Sequence, residues 1–167
     1  MDESLFRALN GTYETADLWW DLFDNPAVIG IFVVGVALAA WHAGERRYLL
    51  PALLAVSICD LSCARALKPL FDRERPCAVL EDVAMRPTTS GYLCGSGRSM
   101  PSCHAANSAA LAAALGSPVL AAVSLATGLS RVATGQHWPS DVLAGWALGA
   151  GLGAGIRYLF QRALGWR

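Results

Sequence analysis

The chain has 167 residues, a length that fits a single domain, 1–167. Hydrophobic residues make up 54% and charged residues 16%, against about a quarter charged in soluble domains, so the composition points to a membrane protein. Formal net charge is zero, which leaves a nucleic-acid partner without electrostatic support, and no obligate protein partner is evident.

Residues 1–25, MDESLFRALNGTYETADLWWDLFDN, mix Leu5, Phe6, Leu9, Leu18, Trp19, Leu22 and Phe23 with acids. This reads as an amphipathic helix lying at the membrane interface, with Trp at headgroup depth, or as an ordinary packing helix. It lacks the basic start and clean apolar core of a cleavable signal peptide. Five apolar stretches follow: 26–44, 48–67, 104–116, 118–133 and 142–160. A helix crossing the hydrocarbon core needs about 20 largely apolar residues, fewer where the membrane is thin. The expected fold is therefore all-α, an integral membrane bundle of about five transmembrane helices plus the N-terminal interfacial helix. Gly and Ala dominate the last three stretches, which permits close helix packing. A soluble bundle would carry polar helix faces, and these stretches barely do.

Arginine placement sets the topology. Arg46 and Arg47 follow the first span, and Arg157 and Arg162 close the last. Five spans put both groups on one side, the cytoplasm. The N-terminus, the long loop 68–103 and the loop 131–141 then lie outside, which in a bacterial inner membrane is the periplasm. Cys77 and Cys94 fall in the outer loop, where the compartment allows a disulfide. Cys59 and Cys63, one turn apart in the second span, read as small buried residues.

The ionisable residues of the outer face carry the chemistry. Lys68 precedes Arg75–Pro76 by six intervening residues. Ser102, Cys103 and His104 stand at the start of the third span. Between the fourth and fifth spans, SRVATGQHWPSD holds Ser130, Arg131, His137 and Asp141. Topology brings all of them to one level. Arg and Lys hold phosphate oxygens. A serine before a helix start, with the free N–H groups beside it, makes an anion site. A histidine with a carboxylate partner is an oriented base or nucleophile, and a second histidine can protonate a leaving group. The set suits phosphoryl transfer, with cations balancing the charge on the equatorial oxygens. No carboxylate cluster suited to a hard metal stands out, and no cofactor is implied. His104, His137 and Cys103 as zinc ligands lack an obvious fourth donor. Singly, Asp141 reads equally as a helix cap, and Lys68, Arg75 and Arg131 as snorkelling residues.

These three motifs resemble the type-2 phosphatidic acid phosphatase superfamily, with its K-x6-RP, PSGH and SR-x5-H-x3-D pattern. The first and third match at every defined position. In the second, Cys103 stands in place of glycine. The resemblance spans 68–141 and implies that His137 is the nucleophile, forming a phosphohistidine, with Asp141 holding its tautomer. His104 would protonate the leaving oxygen and then activate water. Lys68, Arg75, Ser102, Arg131 and the N–H groups of Cys103 and His104 would bind the phosphate. Arg65 is a candidate headgroup contact, and Arg98 is either that or an exposed loop residue. Gln136 faces either phosphate or solvent. Asp60 and Arg65 lie inside the second span, where charges are usually paired or functional, and their spacing sends them to different partners. Among the family's substrates, a bacterial envelope lipid is favoured, undecaprenyl diphosphate or lipid A 1-phosphate. Lipid-to-lipid phosphotransfer and a non-hydrolytic transporter or binding protein are the alternatives.

Overall fold

The structure is a computed structural model that describes residues 1–11, 13–85, 87–88, 91–92, 94–95 and 97–166, without the side chains of 13, 20, 87, 88, 91 and 92. In chain order the helices are α1 (Asp2–Leu9), α2 (Tyr13–Phe23), α3 (Pro26–His42) and α4 (Leu49–Ser62). A π-helical turn, Cys63–Leu67, joins α4 to α5 (Lys68–Phe71), and α6 (Pro76–Val79) follows. After a two-residue antiparallel ladder, Pro87–Thr88 with Gly91–Tyr92, come α7 (Cys103–Leu115), α8 (Pro118–Ala133) and α9 (Pro139–Leu164).

All five expected spans recur as helices. Arg46–Val79 and Pro139–Leu164 are each long and apolar enough to cross a bilayer alone. Glu14–Phe23 and Pro26–His42, bent by 43°, make a third if they act together. The 13 residues of α7 reach only about 20 Å, short of a hydrocarbon core of about 30 Å. Neighbouring helices α4, α8 and α9 surround α7 instead, and it buries Ala105, Ala106, Ala109, Ala110, Ala112 and Ala114.

Residues 1–25 form two helices rather than one interfacial helix. Asn10 ends α1, and its side chain explains the break. Its amide donates to the carbonyls of Ala84, Val132 and Ala133 at 3.0, 3.2 and 3.0 Å, and its oxygen accepts from the Ala84 N–H at 2.9 Å. Phe6 is buried against Trp138, ring centroids 5.5 Å apart, in a cluster with Val83, Ala105, Val132 and Val142. The N-terminal helix is thus packed onto the end of the bundle that carries the conspicuous polar residues. Asn25 starts α3 by accepting the Ala27 N–H at 3.0 Å, with Pro26 at the first helical position. No residue of α3 is buried.

The centre of the bundle is the α7–α9 pair. A Cβ on Gly145, Gly149 or Gly153 would lie 2.5, 1.9 or 2.4 Å from the carbonyl oxygens of Ser102, Ala106 and Ala110. Only hydrogen at these three positions lets α9 lie with its backbone on that of α7, the small-residue packing expected of helices in lipid. A second cluster, Ala52, Ala55 and Cys59 with Ala106, Ala110 and Ala114, seats α4 on the opposite side of α7. In the long loop 68–103 Cys77 and Cys94 are joined in a disulfide.

Candidate active site

The site forms where α7 and α9 begin and α8 ends. Packing α9 on α7 brings the Ser102 N–H to the Asp141 carbonyl at 3.0 Å, so two sequence-distant helix starts share one hydrogen bond. Between α8 and α9 the chain turns sharply. The N–H groups of Gln136 and His137 both return to the Arg131 carbonyl, at 3.0 and 3.1 Å. Gly135 takes φ +71°, and a Cβ there would lie 2.5 Å from Val83 and 3.0 Å from the Ala84 carbonyl. The turn delivers His137 and Asp141 as a buried pair, with His137 Nδ1 3.6 Å from Asp141 Oδ2.

Asp141 is fully buried, so its charge needs partners. It has four. Oδ2 accepts from Ser99 Oγ at 2.5 Å and from the Trp138 N–H at 2.9 Å, besides facing His137. Oδ1 accepts from Arg73 Nη1 at 2.8 Å. Asp141 therefore caps its own helix and faces the histidine.

The tautomer of His137 follows from its other neighbour. Arg75 Nη1 lies 3.3 Å from His137 Nε2 and also donates to the Gln136 carbonyl at 2.8 Å. A guanidinium only donates, so Nε2 must accept and the ring hydrogen sits on Nδ1, toward Asp141 and Ser99. Burial pushes the His137 pKa down to about 3, the Asp141 contact opposes the shift, and the charge of Arg75 adds to it. The imidazole is neutral, with its lone pair aimed at the cationic end of the site.

Arg131 is buried and carries a charge that needs an anion. Asp24, at the break between α2 and α3, supplies it as an ion pair. The other oxygen of Asp24 lies 3.3 Å from His104 Nε2. One carboxylate thus bridges the second histidine and the arginine, standing as an internal anion between two groups expected to meet phosphate. Ser102 starts α7 fully buried, and its hydroxyl has no hydrogen-bond partner among the described residues. Lys68 donates to the Arg98 carbonyl at 2.8 Å, which holds its ammonium over the loop that carries Ser99.

The structure gathers His137, Asp141, Arg75, Ser102, His104 and Arg131 at one end of the bundle. Cys103 turns its side chain to Cys63, Sγ–Sγ 2.7 Å. Two candidates stay outside. Arg65 is exposed and joins none of the described contacts, while the exposed Arg98 pairs with Asp72. Asp60 is met by the Asn107 amide at 2.8 Å. Gln136 is buried and its oxygen accepts from the Gly95 N–H at 2.9 Å, so it secures the loop.

Sequence reading missed Asp24, Arg73 and Ser99. Arg73 is flanked by Asp72 and Glu74, either of which offers a local ion pair. It reaches instead across the site, to Asp141, to Ser140 Oγ at 2.6 Å and to Asp2 Oδ2 at 2.6 Å, and lies over the Trp138 ring at 5.0 Å. Among the described residues no group of three His, Cys, Asp or Glu side chains converges as a metal site.

The PAP2 superfamily model matches residues 47–164. A lipid A 4'-phosphatase of Bacteroides thetaiotaomicron is 30% identical over 181 positions, which cover 98% of this chain and 78% of that protein. Two solved structures share the fold. Aquifex aeolicus LpxE superposes with a TM-score of 0.66 at 24% identity over 92% of each chain. The first transmembrane PAP2-type phosphatidylglycerolphosphate phosphatase from Bacillus subtilis gives 0.72 at 20% identity, over 96% of this chain and 85% of that one.

Proposed function

The chain belongs to the PAP2 superfamily and is a membrane lipid phosphatase, and we propose that it removes a phosphate monoester from a lipid A-type headgroup at the outer face of a bacterial inner membrane. The observation that carries the chemistry is the Arg75–His137 contact. It leaves Nε2 of a neutral imidazole as a lone pair facing cations, with Nδ1–H turned to Asp141. That is the state a nitrogen nucleophile needs.

In the proposed cycle, Arg75, Lys68, Arg131 and the Ser102 hydroxyl hold the phosphate oxygens, with the N–H groups of Cys103 and His104 at the start of α7. Incoming phosphate takes Arg131 from Asp24. His137 Nε2 attacks phosphorus in line, the P–N bond forms, and the P–O bond to the lipid breaks. His104 gives its proton to the departing oxygen. Asp141 balances the imidazolium charge that develops on His137. His104 then takes a proton from water, which attacks phosphorus, releases phosphate and restores His137. Every residue in this cycle comes from the chain itself, and no metal is assigned a step.

Two features support the lipid and the face. The relative with 30% identity bears the name of a lipid A 4'-phosphatase. The arginine bias favours the cytoplasm for the opposite end of the bundle.

The test is phosphate release by detergent-purified protein, with and without EDTA. The panel is lipid A, undecaprenyl diphosphate, phosphatidylglycerol phosphate, phosphatidic acid and a soluble phosphate ester. Lipid A is expected to lose one phosphate, and mass spectrometry of the product distinguishes the 1 from the 4' position. His137→Ala is expected to reduce the rate by about 10⁴-fold or more, as removal of a nucleophile does. Preference for undecaprenyl diphosphate would replace the substrate. Release that survives His137→Ala would overturn the mechanism.

A further inference from the structure

We infer that Cys63 and Cys103 form a second disulfide, a covalent bridge between the π-helical turn and the first residue of α7. Three observations carry it. The two Sγ atoms lie 2.7 Å apart, a gap that a small side-chain rotation closes to an S–S bond of about 2.05 Å. The pair sits at the end of the bundle where Cys77 and Cys94 are already bridged. Cys77 is two residues from Arg75 and its N–H bonds the Gly135 carbonyl at 3.2 Å, while Cys103 lies between Ser102 and His104, so both pairs border the same site. Thiols that share a face share a redox compartment. Finally, accessibility is divided between the partners. Cys103 is half-buried and open to a reagent, whereas Cys63 is fully buried behind it, beside the Pro101 carbonyl at 3.7 Å. Cys59, buried one turn earlier, has no such sulfur partner among the described contacts.

That division fits a defined exchange. The Cys103 thiolate attacks the disulfide of a thiol-oxidising donor, protein or small molecule, and releases one donor thiol. Cys63 then attacks Cys103 Sγ in the mixed disulfide and expels the second donor thiol. The pair loses two protons and two electrons, and the donor disulfide is reduced to two thiols. The bridge gives the cysteine that replaces glycine in the PSGH pattern a physical role. It pins the start of α7, whose N–H groups and Ser102 hydroxyl form the proposed phosphate seat, to the helix that carries Lys68.

The inference rests on the outward orientation of the site, and the experiment separates the two. Membranes are dissolved in denaturing detergent with an alkylating agent, which opens buried thiols, and the full-length protein is mapped by mass spectrometry without reduction. The expected result is two linked peptide pairs, Cys77–Cys94 and Cys63–Cys103, with Cys59 alone alkylated. Cys77–Cys94 linked while Cys63 and Cys103 are both alkylated overturns the inference and leaves the orientation standing. Five alkylated cysteines overturn both. Linkage of Cys103 to any other cysteine also overturns it. In the Cys63→Ser variant, Cys103 is expected to become alkylated while Cys77–Cys94 stays linked. Cys103 left unalkylated there would show that something other than Cys63 blocks it and would overturn the inference.

Discussion

In the α7–α9 pair, three glycines set one backbone directly on another, and the spacing between Ser102 and Asp141 is fixed by main-chain contact. The N-terminal arm is built differently. α3 buries no residue, and α1 and α2 reach the site through side chains: Asp2 to Arg73 and Ser140, Phe6 to Trp138, Asp24 to Arg131 and His104. The two regions divide the work. Geometry that must hold to a fraction of an ångström, the His137–Asp141 dyad, is anchored in the stiff pair. Charge that the proposed cycle displaces, the Asp24 carboxylate, arrives on the N-terminal arm. A rigid scaffold with an adjustable counter-ion lets a site bind a dianion without leaving Arg131 unpaired when empty.

The largest way to break this contrast is Gly149→Leu. Its side chain has to enter where even a Cβ would fall 1.9 Å from the Ala106 carbonyl. Overpacking against backbone is expected to cost at least about 3 kcal/mol and to separate α9 from α7. The same change at Gly151, where a Cβ would meet nothing within 4 Å, is expected to be silent. Thermal melting in detergent compares them. The next effect is expected from Asp24→Asn. It leaves the buried Arg131 without its charge partner, a loss of about 3 kcal/mol by analogy with other broken buried pairs. Inorganic phosphate or vanadate is then expected to raise the melting temperature of the variant more than that of the unaltered protein. Equal ligand shifts would show that Asp24 does not share the phosphate seat.

The third effect is set by pH and reads the dry end of the site. His137 has its pKa lowered from 6.5 to about 3 by burial. Between those values the unfolded chain binds a proton that the folded protein refuses. Stability is therefore full above pH 6.5 and is lost as pH falls toward 3, by up to about 1.4 kcal/mol per pH unit. Melting curves at pH 7, 5.5 and 4 are expected to fall more steeply for the unaltered protein than for His137→Gln. Parallel lines would mean that His137 is protonated in the fold.

What the sequence made legible were the parts encoded locally. In SR-x5-H-x3-D the i, i+4 spacing of His137 and Asp141 announces that pair, which the structure brings to 3.6 Å. Gly and Ala in the last helices announced close packing, although only the fold shows that Gly145, Gly149 and Gly153 are the three that touch α7. Asp24 was illegible for a physical reason. It is one of three aspartates, with Asp17 and Asp21, in a segment whose pattern fits a surface helix, and its partners lie 80 and 107 residues away. Arg73 sits between Asp72 and Glu74, which offer a cheap local pairing, yet the buried Asp141 outbids them because its unpaired charge would cost more. The Cys77–Cys94 bond needed a distance that composition does not contain.

The π-helical turn has a consequence for heredity. Within Cys63–Leu67 the hydrogen bonds skip five residues, so positions five apart come round to nearly the same face. Cys63 faces α7, and Lys68, five residues on, points to the same end of the bundle. Deleting one codon in this stretch would let an ordinary helix form and would leave the K-x6-RP spacing untouched. The wide turn takes up its extra residue, so the helix upstream of Lys68 would keep its phase against the helix downstream. A single-residue gap is thus more neutral inside this turn than in the straight helix of α4, where it would turn Lys68 by about 100°.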